Sequence, residues 1–205
     1  MAKRKVSNLL ALAVLSLLNE RPMHPYEIGA VMRQRGLADS IKINTGSLYS
    51  VTEALVRNQL IEPVETLRDT KHPERTVYAV TPAGRTEFLE WLRSLIRTPF
   101  KEYPQFAAGL AFMGHLAPRE AVALLAERCK LLAADVAEIR SAIEATAKFV
   151  DRLFLIEQEY SLTMREAEVK WLHQLIERIK DGTFTEQKGE QSAWKITHPD
   201  PMRPH

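Results

Sequence analysis

The side chains best suited to chemistry in this 205-residue chain are hydrogen-bonding groups and cations rather than catalytic pairs. Asn44, Thr45, Ser47, Tyr49 and Ser50 crowd together and each carries a donor or an acceptor, while Lys71, His72 and Arg75 put positive charge into a second polar stretch. Such groups bind: amides and hydroxyls read hydrogen-bonding edges, and cations meet phosphates. Catalysis would need a nucleophile beside a base, a phosphate-cradling loop or a metal cluster. The sequence has no glycine-rich loop, no His-x-x-x-His pair and no serine elbow. His24 and His72 are too far apart in sequence, and too isolated, to argue a metal site. Cys129 is the only cysteine, which excludes an intramolecular disulfide and a multi-thiolate metal centre and fits a reducing compartment. Its place in an apolar repeat makes it a small core residue in preference to a redox sensor. The expectation is a binding protein, not an enzyme, with no cofactor and no metal.

Charge is divided along the chain. Residues 1–98 hold 14 Lys and Arg against 10 Asp and Glu, and the remainder holds 14 against 16. The mild positive excess of the first half suggests an acidic partner there without proving one. The apolar run 9–18 follows Lys3, Arg4 and Lys5 and so imitates a signal peptide, but it is too short to cross a bilayer of about 30 Å. Asn19-Glu20-Arg21-Pro22 behind it is no small-residue cleavage site. The segment reads as a retained first helix of a soluble cytoplasmic protein without membrane attachment.

The elements that must hold the polar groups follow from periodicity. Leu9, Leu10, Ala13, Leu17 and Leu18 recur at helical spacing, with Ser7 as N-cap and Pro22 and Pro25 as stops. Residues 26–35 place Ile28, Val31 and Met32 on one face and close at Gly36. Residues 45–58 place Leu48, Val51 and Leu55 opposite a polar face. The period then changes: 60–67 and 76–81 are rich in β-branched and aromatic residues around the polar stretch 68–75, which predicts a hairpin with a charged tip. Thr81-Pro82 starts a fourth helix as N-cap and first helical residue, and this helix carries Phe88, Trp91 and Leu95. Three helices, two strands and a helix are the order of a winged helix-turn-helix.

Pro99 and Pro104 bracket a hinge, after which 106–116 reads as a short apolar helix ended by Pro118. Tyr103, Phe106, Phe112 and Met113, with His115, are candidates for an aromatic effector pocket near this hinge, against the plainer reading of core packing. From Val122 through Leu125, Cys129, Leu132, Val136, Ile139, Ile143, Thr146 and Val150 to Leu153, spacings of three and four make an a/d seam. A second helix over 163–180 offers Val169, Leu172, Leu175, Ile176 and Ile179. The two helices could pack antiparallel and pair again across a dimer, with Val122, Leu125, Leu132, Val136, Ile139, Ile143, Val150, Leu172, Leu175 and Ile179 as the dimerisation residues. The fold class expected is mainly α with a small β-hairpin wing: a winged helix-turn-helix over 1–98, a helical dimerisation and effector region over 99–182, and a disordered tail over 183–205 on which Trp194 could dock.

Five blocks carry a resemblance. Leu12-Ala13-Val14-Leu15-Ser16-Leu17-Leu18, His24-Pro25-Tyr26-Glu27-Ile28, Gly46-Ser47-Leu48-Tyr49, Leu60-Ile61-Glu62 and Tyr78-Ala79-Val80-Thr81-Pro82-Ala83-Gly84-Arg85 occur in that order. Together the chain resembles the PadR family of bacterial transcription regulators over its first 98 residues. The stretch 166–175, with Trp171-Leu172, is similar to the C-terminal helix of the longer PadR subfamily. Two positions depart from the family pattern: Thr52 stands where Leu is common, and Gln59 stands where Gly is common before the Leu-Ile strand.

The resemblance implies a sequence-specific DNA-binding regulator: a repressor acting as a homodimer on a palindromic double-stranded operator and released by a small, often aromatic, molecule. The third helix would enter the major groove with Asn44, Thr45, Ser47, Tyr49 and Ser50, and its N-terminal amides would attract phosphate. Tyr26 would anchor the DNA backbone from the second helix. Lys71, His72 and Arg75 would reach phosphate or minor groove from the wing, with Lys3, Arg4 and Lys5 as a flexible arm. The rival class is a coiled-coil adaptor whose winged helix mediates protein–protein interaction, since a fold does not dictate its use.

Overall fold

The computed structural model describes residues 8–37, 41, 44–69 and 72–182. The chain divides into two compact units, with the boundary between Lys101 and Glu102. Among the described residues no helix is long and apolar enough to cross a membrane.

The first unit is the expected winged helix-turn-helix. Helix α1 (Leu9–Glu20) is nearly all apolar because it runs through the middle of the unit; Leu10, Val14, Leu15, Leu17 and Leu18 are all buried. Each fully buried leucine is worth roughly 1.5–3 kcal/mol of transfer free energy. Its cap is Asn8, whose side chain accepts from the Leu10 amide at 2.9 Å, rather than the expected Ser7, which lies outside the described residues. An amide and a hydroxyl cap equally well, so the sequence leaves adjacent capping residues open. Helix α2 (Pro25–Gln34) starts on Pro25 and buries Ile28 and Met32. The bidentate pair of Arg35 with Glu20, at 2.6 and 2.8 Å, ties the C-terminal ends of α1 and α2. Helix α3 (Thr45–Arg57) crosses α2 where Gly29 leaves room: a Cβ at that position would meet Leu48 Cδ2 at 3.2 Å.

The wing differs in extent from the sequence expectation. Strands β1 (Ile61–Asp69) and β2 (His72–Val80) pair antiparallel from Ile61↔Val80 out to Asp69↔His72. Most of the stretch expected as a polar tip is therefore strand. The ladder is made by backbone groups, so polar and charged residue types do not stop it, although they lower the strand signal in sequence. Met23 adds a bridge to this ribbon, exchanging two backbone hydrogen bonds with Tyr78 at 3.1 and 3.0 Å. Helix α4 (Pro82–Arg97) begins as expected on Thr81, whose hydroxyl accepts from the Gly84 amide, and buries Trp91 in the shared core.

The second unit is helical throughout its described length. The short apolar helix of the sequence reading is α5 (Gln105–Ala111) followed by a separate 3-10 turn, Met113–His115. Helix α6 (Pro118–Thr146) and helix α7 (Ile156–Lys180) form a hairpin around Leu125, Cys129, Leu172, Leu175 and Ile176. The seam does not run on as one helix to Leu153. Helix α6 stops at Thr146, Val150 lies in the reversal, and Leu153 sits in the 3-10 turn Arg152–Leu155. Asp151 explains the break, because its carboxylate accepts from the Leu153 amide at 3.0 Å and starts a new turn. Correspondingly, α7 begins at Ile156, well before the expected residue 163. The expected tail, with Trp194, lies outside the described residues.

Candidate nucleic-acid interface

Helix α3 separates two kinds of side chain. Leu48, Val51, Thr52 and Leu55 are buried against the unit's core, and Asn44, Gly46, Ser47, Tyr49 and Ser50 are exposed. The exposed set lies at the N-terminal end, where free amides and the helix dipole present positive potential. Two members are already engaged. Asn44 Oδ1 accepts from the amides of Gly46 at 2.8 Å and Ser47 at 3.4 Å, so its carbonyl end serves the helix as N-cap. Ser50 donates to the Gly46 carbonyl at 3.1 Å. Ser47 and Tyr49 are exposed on the first two turns; the fifth expected residue, Thr45, is the first residue of α3.

Tyr26 is 66% exposed on the first turn of α2. The link between α2 and α3 is His24, which the sequence reading had set aside as a lone histidine. Its Nδ1 accepts from the Tyr26 amide at 3.1 Å, capping α2, and its ring meets Tyr49 edge-on at 6.4 Å between centroids. His24 thus holds the two exposed tyrosines in one framework. A histidine directly before Pro-Tyr was the available signal, since a residue ahead of a helix-starting proline is placed to cap. His24 is also joined to the wing through its neighbour Met23 and the bridge to Tyr78.

The wing residues fall differently from one another. His72 and Arg75 lie on β2, with Arg75 opposite Leu67 and His72 opposite Asp69. Lys71, like the arm residues Lys3, Arg4 and Lys5, lies outside the described residues.

In the second unit, Phe106 and Met113 of the candidate effector group line a cavity, but Tyr103 and Phe112 do not; those two are 81% and 67% exposed. The ten expected dimerisation residues also divide. Leu125, Leu172 and Leu175 are buried inside the α6–α7 hairpin, and Val122, Leu132 and Ile179 pack against that core. Val136, Ile139 and Ile143 are half-buried, and Val150 stands outside the helices. The reversal and the start of α7 instead expose Phe149, Leu153, Phe154, Ile156 and Tyr160, which the heptad pattern did not single out. Among the described residues no group of three or more His, Cys, Asp or Glu side chains is gathered to hold a metal ion.

A three-helix unit with a capped, exposed third-helix N-terminus and a two-stranded wing defines the winged helix-turn-helix class. Residues 14–90, within the first unit, match the Transcriptional regulator PadR-like family. No curated protein sequence matches the chain. Among solved structures, Bacillus subtilis PadR in complex with operator DNA superposes with a TM-score of 0.67 at 20% identity, covering 85% of this chain and 99% of that one. The same Bacillus subtilis protein in complex with p-coumaric acid gives 0.68 at 20% identity, over 84% and 99%. The Vibrio cholerae virulence activator AphA gives 0.64 at 19% identity, over 84% and 99%. At these identities the likeness carries the fold, and it extends through the helical second unit.

Proposed function

We propose that the protein binds double-stranded DNA sequence-specifically as a homodimer, represses transcription from an imperfect palindrome, and is released by a small molecule. The observation that carries the reading is the N-terminal part of α3, where Ser47 and Tyr49 are exposed while the helix's apolar face is buried. An α-helix fits the major groove, and polar side chains on its first turns reach base edges. The PadR-like match and the operator complex of Bacillus subtilis PadR support DNA as the partner. Dimerisation is supported by the apolar side chains left exposed around the α6–α7 reversal, which a soluble monomer has reason to cover. Release by a small molecule is supported by the p-coumaric acid complex of the Bacillus protein.

A salt titration tests the reading. Binding to duplex DNA should weaken steeply with salt, because each phosphate contact releases counterion and adds about 0.9 to the slope of log affinity on log salt. A salt-insensitive or undetectable interaction with every duplex tried would reject DNA as the partner and favour a protein-binding adaptor.

A further inference from the structure

The second unit contains a cavity of about 250 Å³ between α5, the 3-10 turn and the first half of α6. Of the nine residues around it, Arg128 alone has a polar side chain. That guanidinium is already neutralised: its nitrogens lie 2.7 and 2.6 Å from Glu168 Oε1, and its carbon sits 3.8 Å from the centroid of the Phe106 ring. An anion entering the cavity would compete with Glu168 for the single cation of the lining, a pair about one-third exposed, and the other eight residues offer it no side-chain donor. An uncharged apolar molecule meets neither penalty and gains from Phe106, Leu110, Met113 and Leu125. Size narrows the class further, because an apolar cavity of about 150 Å³ takes benzene and drug-sized ligands occupy about 300–1,000 Å³.

We propose that this cavity is a binding site for a small uncharged apolar molecule of one or two rings, or an alkyl chain of similar bulk. The proposal deepens the small-molecule reading above, and its regulatory meaning rests on that reading; the binding itself does not. Gly109 supplies a clean handle. It lines the cavity, and a Cβ built on it meets nothing within 4 Å, so the position accepts a larger side chain at the cavity wall without a clash.

The test is calorimetric titration of the full chain, without DNA, with toluene and with benzoate, which have similar size and opposite charge character. Toluene should bind, and benzoate should bind at least about tenfold more weakly. Gly109→Met should weaken toluene by about tenfold or more, with helical circular dichroism and melting midpoint confirming a folded chain. Should that variant not fold, Leu124→Trp serves the same purpose, because Leu124 lines the cavity and is 48% exposed, so a larger ring there occupies the mouth without entering the buried core. Absence of toluene binding, equal or tighter binding of benzoate, or toluene affinity untouched in a folded filled variant would each overturn the proposal. Because no DNA is present, none of these outcomes depends on whether the chain is a regulator.

Discussion

Gln59 is the residue where local geometry and side chain disagree most openly. Its φ is +59°, the left-handed value that favours glycine, and the chain closes α3 there with the Gln59 amide donating to Val56 and the Leu60 amide to Leu55. Gln59→Gly should raise stability by about 0.5–1 kcal/mol, read as a higher urea midpoint, since the steric penalty removed exceeds the entropy gained by the unfolded chain. The departure at Thr52 has a different outcome: the side chain is buried, but its hydroxyl donates to the Leu48 carbonyl at 2.8 Å and is satisfied. Gly84 has the opposite character to Gln59, because a Cβ there would run into the Leu60 carbonyl and Val80 Cγ2. Gly84→Ala should therefore cost about 1–3 kcal/mol or more, the penalty of overpacking. A smaller effect belongs to Glu20, whose carboxyl the Arg35 hydrogen bond holds below its usual range. A depressed folded pKa gives stability that is present above the unfolded value of about 4.3 and is lost as pH falls through the folded one. With both side chains about half exposed, the pair is worth at most about 1 kcal/mol. The urea midpoints of wild type and Glu20→Gln should differ slightly at neutral pH and converge in acid.

At the scale of elements, the proposed DNA reading divides the labour between α3 and the wing. Arg75→Ala and Lys71→Ala should weaken every duplex about equally and flatten the salt slope by about one unit per lost phosphate contact, whereas Ser47→Ala and Tyr49→Ala should relax the preference among sequences. Competition binding against a panel of duplexes separates the two effects, and a wing change that leaves the salt slope intact would contradict the assignment. The same elements show what the sequence could and could not convey. Helices α1 to α4 were legible because their apolar periodicity is sharp and their ends carry prolines and caps. The wing's length was not, because Asp69 and His72 pair through backbone groups that leave no trace in side-chain type. The reversal after Thr146 was hidden by a three-and-four spacing that continues through Val150 and Leu153, so only Asp151, a capping residue, marked it. Among the site residues, exposure of Ser47 and Tyr49 followed from the helical face opposite Leu48 and Leu55, whereas Tyr26 was singled out by the family resemblance alone. The use of Asn44 as a cap and the bridging role of His24 depend on three-dimensional partners that spacing does not encode.

At the scale of the whole molecule, the proposed dimer takes its two-fold symmetry from the second unit. One third helix discriminates few base pairs, at about 1–3 kcal/mol each, against a genome of competing sites. Two copies held at a defined spacing solve this. The exposed Phe149, Leu153 and Phe154 are the side chains to challenge, because they lie outside the protomer's own core, unlike Leu125 or Leu172. Leu153→Glu with Phe154→Glu should shift sedimentation toward monomer at micromolar concentration with little change in melting midpoint. A chain ending at Thr98 should remain folded, since Trp91 and Leu95 close the first unit's core from α4, and should be monomeric. The measurement that reaches the central claim most directly is selection of duplexes bound by the full chain from a random-sequence pool. The proposed dimer should enrich an inverted repeat whose half-site centres are about one helical turn, 10–10.5 base pairs, or a multiple of it apart. Recovery of unenriched sequence, or of a single half-site with no repeat, would contradict it.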